Sequence, residues 1–267
     1  MSEQRDVISD LIAEGAQVDR LVADLDADLW TTPTPAVGWT IAHQVAHLAA
    51  NNRLAALSAS DPEAFKAFVA RLSDDFDTNV NAALAPFLAN PPEVLLSSFR
   101  AERAAAEKAL AAVPPGQPVP WLVRALPAQV LAAAGIMELF AHGQDIADAL
   151  GVRLERTDRI WHLVAFAVRV WDFGYLARGL RAPDVELRYE LTAPSGARWE
   201  LGPVDSTERI TGPAEDFCLL VTRRRHRDDV SVTATGAHAD AWLDIAQAYR
   251  GTPGSGRKAG QFAALQR

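Results

Sequence analysis

The sequence is poor in cysteine and in long hydrophobic runs. Cys218 is the single cysteine among 267 residues, which excludes an intrachain disulfide and a cysteine-based zinc site. The longest uncharged stretch with helical character covers thirteen residues, 125–137, whereas a membrane-spanning helix needs about 20. The first residues, MSEQRD, contain no apolar signal region. These absences predict a cytoplasmic protein that does not enter membranes.

Nucleotide-binding and hydrolase signatures are missing as well. The sequence contains no glycine-rich phosphate loop, no nucleophile elbow and no dinucleotide-binding fingerprint. Basic residues are fewer than acidic ones. The sequence has 26 lysines and arginines and 34 aspartates and glutamates, which gives a net charge of −8. This balance argues against nucleic-acid binding and against adhesion to anionic membranes. We therefore expect a small-molecule substrate as the partner, and the sequence does not indicate an oligomeric state.

Hydrophobic periodicity divides the chain into a helical first part and a mixed second part. Apolar residues recur at three- and four-residue steps up to about residue 180, and Pro183 disfavours helix at the residue before it. From Val185 to Leu191, apolar and charged residues alternate strictly, which is typical of a half-buried strand. The predicted fold class is α+β, with a helical domain over 1–180, a small α+β domain over 184–250 and a flexible tail over 251–267.

Start and stop signals place the individual elements. Asp61-Pro62 and Pro91-Pro92 open helices, and Gly151 ends one. The predicted helices, of which the third could be one helix or two, cover 4–29, 40–58, 62–88, 92–112, 127–151, 157–179, 213–223 and 238–249. The predicted strands cover 185–191, 198–201, 208–211 and 230–235.

Two pairs of potential metal ligands lie on predicted helices. His43 and His47 are four residues apart, as are Glu138 and His142, so each pair lies on one helix face on adjacent turns. Two such helices packed side by side can supply three or four ligands to one ion. Glu138 is also the lone charge of an apolar helical stretch, and burying a carboxylate is costly unless it is paired or binds a metal. Such pairs are also common on ordinary helices, and His43 could instead cap its helix three residues after Thr40.

Two sequence motifs carry a family resemblance. Residues 38–49 read GWTIAHQVAHLA, residues 137–151 read MELFAHGQDIADALG, and a tryptophan-containing loop, VPW, lies at 119–121. Together they resemble the mycothiol-dependent maleylpyruvate isomerase-like branch of the DinB-like superfamily, in particular an actinobacterial metal-binding subgroup, over about residues 5–180. The resemblance implies a four-helix bundle that binds a divalent metal, often zinc, through His47, Glu138 and His142.

The resemblance also implies a function. Three protein ligands leave an open coordination position, which is the arrangement of catalytic rather than structural zinc sites. The implied activity is that of an isomerase or transferase in which the metal activates a cofactor thiol, mycothiol or another low-molecular-weight thiol, for attack on a small electrophilic substrate. Two alternatives stay open. One is a thiol-independent Lewis-acid enzyme for hydration, hydrolysis or cyclisation in secondary metabolism, and the other is a non-catalytic protein that binds a metal and a ligand.

The sequence departs from the family pattern beside the implied ligands. His43 stands where the family usually has aspartate, Gly135 stands where a basic residue is common, and residues 126–129 lack the usual hydroxyl-containing sequence. His43 is therefore either a fourth ligand or an acid–base group, and we favour the second role. Asp145 either orients His142 or ends its helix in solvent.

Three further residues are candidates for substrate binding. Residues 210–223, ITGPAEDFCLLVTR, resemble part of the small sterol-carrier-protein-like domain that follows the bundle in this branch. The resemblance implies that Arg223 binds an acidic substrate, although the arginines of 223–227 could also form a solvated basic turn. Trp39 and Trp121 could line a pocket or belong to a core.

Overall fold

The structure is a computed structural model that describes residues 6–114, 116–122 and 124–262. The chain divides into two compact units, which cover residues 1–151 and 152–267 and are called unit 1 and unit 2 below. Unit 1 is helical, and unit 2 contains a small sheet with short helices. This combination confirms the predicted α+β fold class.

Unit 1 is a bundle of four long helices with two shorter ones. Its elements are α1 (Val7–Val22), α2 (Ile41–Ser60), α3 (Pro62–Val69), α4 (Phe76–Leu88), α5 (Pro92–Ala112), the short antiparallel pair β1 (Pro118–Val119) and β2 (Leu126–Pro127), and α6 (Ala128–Leu150). The helices α1 and α2 each pack on both α5 and α6, so the four long helices surround one core and confirm the predicted bundle. None of the helices in the described part of the chain is both long and apolar enough to cross a membrane.

Short-range signals set most of the helix ends in unit 1. The Asp61 carboxylate accepts a hydrogen bond from the backbone N–H three residues later, and Pro62 occupies the first turn of α3. Gly151 ends α6 in the left-handed region, with a φ of 68°. The first helix ends at Val22 rather than at the predicted residue 29, and a separate 3-10 helix, Ala27–Thr31, follows it.

Two glycines of α6 allow this helix to lie close to α1. A Cβ atom built on Gly135 would lie 3.1 Å from Cδ1 of Leu11, and one built on Gly143 would lie 3.0 Å from Cγ2 of Val18. A large side chain at either position would push the two helices apart. At position 135, where the resembled family often has a basic residue, the glycine lies against the side chain of Leu11. The helix α6 also contacts α2, and that second contact brings the site residues together.

Unit 2 combines a mixed sheet with short helices. Its elements are α7 (Trp161–Arg169), α8 (Phe173–Leu176), β3 (Arg188–Thr192), β4 (Arg198–Leu201), β5 (Arg209–Pro213), α9 (Ala214–Val221), β6 (Thr233–Thr235) and α10 (Ala237–Ile245). The strands lie in the order β4-β3-β5-β6, in which β3 and β5 run parallel and the other two pairs run antiparallel. The alternation in the sequence of β3 places Tyr189 and Leu191 in the core, as predicted.

The structure differs from the sequence prediction at the start of unit 2. The prediction of a single helix over 157–179 is wrong, because α7 ends at Arg169 and α8 begins at Phe173. Between them, the backbone carbonyl of Trp171 accepts a hydrogen bond from the indole N–H of Trp242 (2.8 Å), a tertiary contact that competes with helical hydrogen bonding. The helix α7 contacts α9, so the chain divides after residue 151 and not near residue 180.

The C-terminal segment packs against the rest of unit 2 as far as the described residues extend. Phe262 is 6% exposed, and the guanidinium carbon of Arg225 lies 4.0 Å from the centroid of the Phe262 ring. The tail that was expected to be flexible from residue 251 therefore makes packed contacts up to residue 262. The remaining residues, 263–267, lie outside the described part of the chain.

Candidate metal centre

A tight turn before α2 fixes the start of that helix. Thr34 and Trp39 pair across the turn, since the backbone N–H and the hydroxyl of Thr34 both donate to the Trp39 carbonyl (2.8 and 2.9 Å). Thr40 is the N-cap of α2, and its N–H donates to Nδ1 of His43 (3.3 Å) in a capping-box arrangement. The capping role that the sequence left open for His43 is therefore confirmed.

Three side chains from α2 and α6 meet beside this turn. His47 lies one turn after His43 on α2, and Glu138 and His142 lie one turn apart on α6. Nε2 of His47 is 3.3 Å, and Nε2 of His142 is 3.2 Å, from Oε2 of Glu138. One ligand atom from each of the three residues lies within 4.8 Å of the other two. The fold thus brings together the three residues that the family resemblance implied.

The spacing of these atoms fits a tetrahedral metal site. Two ligand atoms that each lie about 2.05 Å from a tetrahedral ion are about 3.3 Å apart, and the two nitrogen–oxygen distances to Glu138 are 3.3 and 3.2 Å. Two imidazole nitrogens and a carboxylate oxygen form a donor set that zinc and similar divalent ions bind. The side chains of His47, Glu138 and His142 are 18%, 26% and 12% exposed, so solvent ions have access to them.

The neighbours of Glu138 stabilise its charge. Burial raises the pKa of this carboxyl group, but hydrogen bonds with the rings of His142 and His47, together with the charges of those rings, outweigh burial. They hold the pKa of Glu138 well below its ordinary value. Glu138 is therefore a carboxylate at neutral pH, which is the form that binds a metal.

Two carboxamides contact the cluster and were not predicted from the sequence. Oε1 of Gln44 lies 2.5 Å from Nδ1 of His142, and Nδ2 of Asn51 lies 3.0 Å from Nε2 of His47. Asn51 is four residues after His47, so the spacing rule used for the two histidine-containing pairs could have indicated it. The contact between Gln44 and His142 spans 98 positions of the sequence and has no local signal.

Trp39 and His43 lie at the edge of the cluster. The indole of Trp39 stacks on the His142 ring, with centroids 5.9 Å apart and an interplanar angle of 20°, and lies 5.3 Å from the His47 ring. Because Trp39 is also partly exposed, it lines the site and does not fill a core. His43 does not belong to the group of mutually close ligand atoms, which argues against its being a fourth ligand. Its acid–base role stays a prediction.

Asp145 lies on α6 less than one turn after His142. Its side chain is completely buried within unit 1, and α6 continues to Leu150. The alternative that Asp145 ends the helix in solvent is therefore wrong, and its role in orienting His142 stays a prediction.

Trp121 packs on a second aromatic residue, and its substrate-binding role stays a prediction. Its ring stacks on Phe65, with centroids 5.6 Å apart and an interplanar angle of 13°. The preceding residue, Pro120, accepts a hydrogen bond from the hydroxyl of Ser58 near the end of α2. Ser58 lies 11 residues after His47, which corresponds to about 16 Å along a helix. The structure thus places Trp121 in an aromatic pair near the C-terminal end of α2, whereas His47 lies near the start of this helix.

Arg223 lies in unit 2, in the turn after α9, where its φ is 58°. Together with Arg225, Arg227 and Arg257 it borders a cavity of about 200 Å³. Nε of Arg223 is buried and has no hydrogen-bond partner among the described residues. Arg224 and Arg225 are 9% and 8% exposed, so the alternative of a solvated basic turn is wrong for them. The substrate-binding role of Arg223 stays a prediction.

Comparison with known proteins agrees with the geometry of unit 1. A family model described as the mycothiol maleylpyruvate isomerase N-terminal domain matches residues 11–147, a range that includes all three clustered residues. The chain belongs to this mycothiol maleylpyruvate isomerase N-terminal domain family. The family domain falls within unit 1. A second family model, described as wyosine base formation, matches residues 185–235 of unit 2, and the sterol-carrier-protein-like character of this part stays a prediction.

Two further comparisons cover most of the chain and not only the family domain. An uncharacterized protein of Mycobacterium tuberculosis, from two strains, is 40% identical over 257 residues, which cover 96% of this chain and 100% of the relative. Crystal structures of a mycothiol-dependent maleylpyruvate isomerase and of a mutant of it are 16% identical, with a TM-score of 0.58 over 85% of this chain and 91% of that chain. The likeness to the two crystal structures shows that the chain shares the fold of the isomerase.

Proposed function

We propose that the protein is a divalent-metal-dependent enzyme that activates a low-molecular-weight thiol, such as mycothiol, at the site of His47, Glu138 and His142. The thiolate would attack a small electrophilic substrate in an isomerisation or a group transfer. One observation carries the proposal. A three-residue donor set with the spacing of a zinc site lies within a domain of the mycothiol maleylpyruvate isomerase N-terminal domain family.

The residues of the chain have separate tasks in this proposal. His47 and His142 present imidazole nitrogens, and Glu138 presents a negative charge that offsets part of the charge of a divalent ion. When bound, such an ion would supply Lewis acidity that lowers the pKa of a coordinated thiol. Three protein ligands leave one position of a tetrahedral arrangement for the sulfur. Zinc is the ion that we propose, because imidazole and carboxylate donors in this arrangement suit it.

The surroundings of the donor set favour a small ligand over bulk water. Trp39 stacks on the His142 ring, and an aromatic surface of this kind excludes water and packs on the apolar part of a ligand. Nδ1 of His43 lies 3.3 Å from the backbone nitrogen and 2.8 Å from the hydroxyl oxygen of Thr40. When Nδ1 carries a hydrogen it can donate to that hydroxyl, and Nε2 then has the lone pair that accepts a proton from a ligand. We propose His43 as the acid–base group because Thr40 can pair with Nδ1 whether this nitrogen accepts or donates.

Substitution with cobalt tests the proposed function. Co²⁺ replaces zinc in tetrahedral sites and gives visible absorption bands, and a coordinated thiolate adds a sulfur-to-metal charge-transfer band in the near ultraviolet. We expect the cobalt-loaded protein to show the bands of a four-coordinate ion and to gain the charge-transfer band when mycothiol is added. His47→Ala should lose both signals. The matched control is His238→Ala, which removes an exposed histidine of α10 and should behave like the wild type.

The alternatives give different results in the same experiment. Cobalt bands without a charge-transfer band after thiol addition would contradict the thiol-dependent function and favour a thiol-independent Lewis-acid enzyme. A charge-transfer band without turnover of any electrophile would favour a binding protein. Identical spectra for the wild type and His47→Ala would contradict the metal site itself.

A further inference from the structure

Arg223 occupies a backbone position at which glycine is usual. It follows the C-cap of α9, and its N–H donates to the Leu220 carbonyl (2.9 Å). The next N–H, of Arg224, donates to the Leu219 carbonyl (2.8 Å), which completes a Schellman motif. Arg223 has a φ of 58° and is, among the described residues, the only one other than glycine with a positive φ. Glycine is the usual residue here because a side chain strains this backbone, and strained residues cluster at binding sites.

The guanidinium of Arg223 has no partner among the described residues. Its Nε is buried without a hydrogen bond, and the group forms no ion pair in that part of the chain. Burial lowers the pKa of Arg178, and the positive charge of Arg223 lowers it further, so a second guanidinium lies near the first. Asp244 lines the cavity that Arg223 borders, but this carboxylate forms an ion pair with Arg227 (2.9 Å). A buried charged donor without a partner is costly, so Arg223 needs an acceptor from outside the chain.

Arginines from three segments border the same cavity of about 200 Å³. They are Arg223 and Arg225 in the turn after α9, Arg227 in the 3-10 helix Arg227–Asp229, and Arg257 in the C-terminal segment. The C-terminal backbone lies against Arg223 at Gly256, where a Cβ atom would lie 2.7 Å from Nη2 of Arg223. A water molecule takes about 30 Å³ of liquid, so the cavity has room for a small anionic group.

The arrangement suits a phosphate group better than a carboxylate. A carboxylate has two oxygens in one plane, and a single arginine fork can pair with both of them. A phosphate group carries about two negative charges at neutral pH and presents acceptor oxygens in several directions, so arginines from separate segments can bind it together. Arg225 also stacks on Phe262, and Arg227 also pairs with Asp244. Arg223 is therefore the arginine that gains most from the ligand.

We propose that this cavity of unit 2 binds the phosphate group of a small molecule, with Arg223 as the main anchor. The guanidinium of Arg223 donates to the phosphate oxygens, and Arg257 adds positive charge from the C-terminal segment. These interactions offset the strain of the backbone at Arg223. The inference does not depend on a metal ion, because every residue that lines the cavity lies in unit 2.

Isothermal titration calorimetry of the full-length protein with inorganic phosphate tests the site. Metal is removed beforehand by dialysis against a chelator, so that no divalent ion binds the anion, and the ionic strength is held constant. The wild type should bind one phosphate per chain and should bind acetate at least about tenfold more weakly. Arg223→Gly should bind phosphate about 10–100-fold more weakly. The matched control is Arg181→Gln, which removes an exposed arginine that does not line the cavity and should bind like the wild type.

The melting temperature separates binding from a structural role of Arg223. Glycine relieves the strain at a φ of 58°, so Arg223→Gly should melt in phosphate-free buffer at the temperature of the wild type or above it. Phosphate should raise the melting temperature of the wild type much more than that of the variant. A variant that melts at a lower temperature in phosphate-free buffer would show that Arg223 serves the fold, which would contradict the inference.

Three results of the titration would overturn the inference. The first is a wild type that binds no phosphate at millimolar concentrations, and the second is equal phosphate affinity in the wild type and Arg223→Gly. The third is a wild type that binds acetate as tightly as phosphate, which would contradict a phosphate ligand. Because no metal is present, these results do not depend on the outcome of the cobalt experiment.

Discussion

Binding of a divalent ion should raise the melting temperature of unit 1, because folding brings His47, Glu138 and His142 together and the unfolded chain offers no such site. At a free-ion concentration of 100 times Kd, the stabilisation is about 2.7 kcal/mol. For a domain of about 150 residues, each kcal/mol raises the Tm by about 2–4 °C, and unit 1 covers residues 1–151. The expected increase is therefore about 5–11 °C.

Removal of one ligand should abolish most of this increase. If His142→Ala weakens binding by about 100-fold, the same ion concentration equals Kd and stabilises by about 0.4 kcal/mol, which corresponds to about 1–2 °C. Melting of the full chain with and without Zn²⁺, followed by circular dichroism, measures the difference. His238→Ala, which removes an exposed histidine of α10, should keep the wild-type increase. An equal increase in His142→Ala and the wild type would refute the reasoning, because the ion would then bind elsewhere.

Gly174→Ala should lower the free energy of unfolding in urea by at least about 2 kcal/mol, because its Cβ would lie 2.1 Å from the backbone oxygen of Ile245. Gly135→Ala, whose Cβ would meet the end of a flexible side chain at 3.1 Å, should change it by less than about 1 kcal/mol, and equal losses would contradict the packing. Burial raises the pKa of Tyr189, so the stabilising contribution of this residue is complete below the unfolded pKa of about 10 and is lost as the pH rises from that value through the raised pKa of the folded state. Tyr189→Phe should therefore lose less stability than the wild type between about pH 8 and about pH 11, and equal losses in urea unfolding would contradict this. A fragment of residues 1–151 should be helical by circular dichroism and bind one divalent ion, since all three ligands lie in unit 1, and an unfolded fragment would contradict the division of the chain.

The three clustered residues could be predicted because their signals are local. His47, Glu138 and His142 lie on long helices whose starts are marked by Thr40 and Pro127, and a spacing of four residues fixes one helix face. The family resemblance then indicated which of the candidate residues share a site.

Gln44 could not be predicted in this way. Its contact with His142 depends on how α2 packs against α6, and no spacing within either helix encodes that packing. The hydrogen bond between the amide of Gln44 and the Thr34 hydroxyl, 2.8 Å long, likewise depends on how the turn before α2 folds.

Long-range contacts also account for the errors elsewhere in the chain. The apolar spacing of residues 157–179 is helical throughout, but the carbonyl of Trp171 bonds to Trp242, which lies 71 positions later. Local periodicity carries no information about such a partner. The sequence likewise left open whether Trp121 lines a pocket or belongs to a core, and the packing of α3 places Phe65 against its ring.

Anomalous diffraction from a crystal of the zinc-loaded protein, measured on both sides of the zinc absorption edge, tests the metal centre most directly. We predict one anomalous peak per chain, about 2.0–2.2 Å from Nε2 of His47, a carboxylate oxygen of Glu138 and Nε2 of His142. A fourth, non-protein ligand should complete the coordination. A peak on another set of residues, or none beside these three in protein that contains zinc, would contradict the proposed centre.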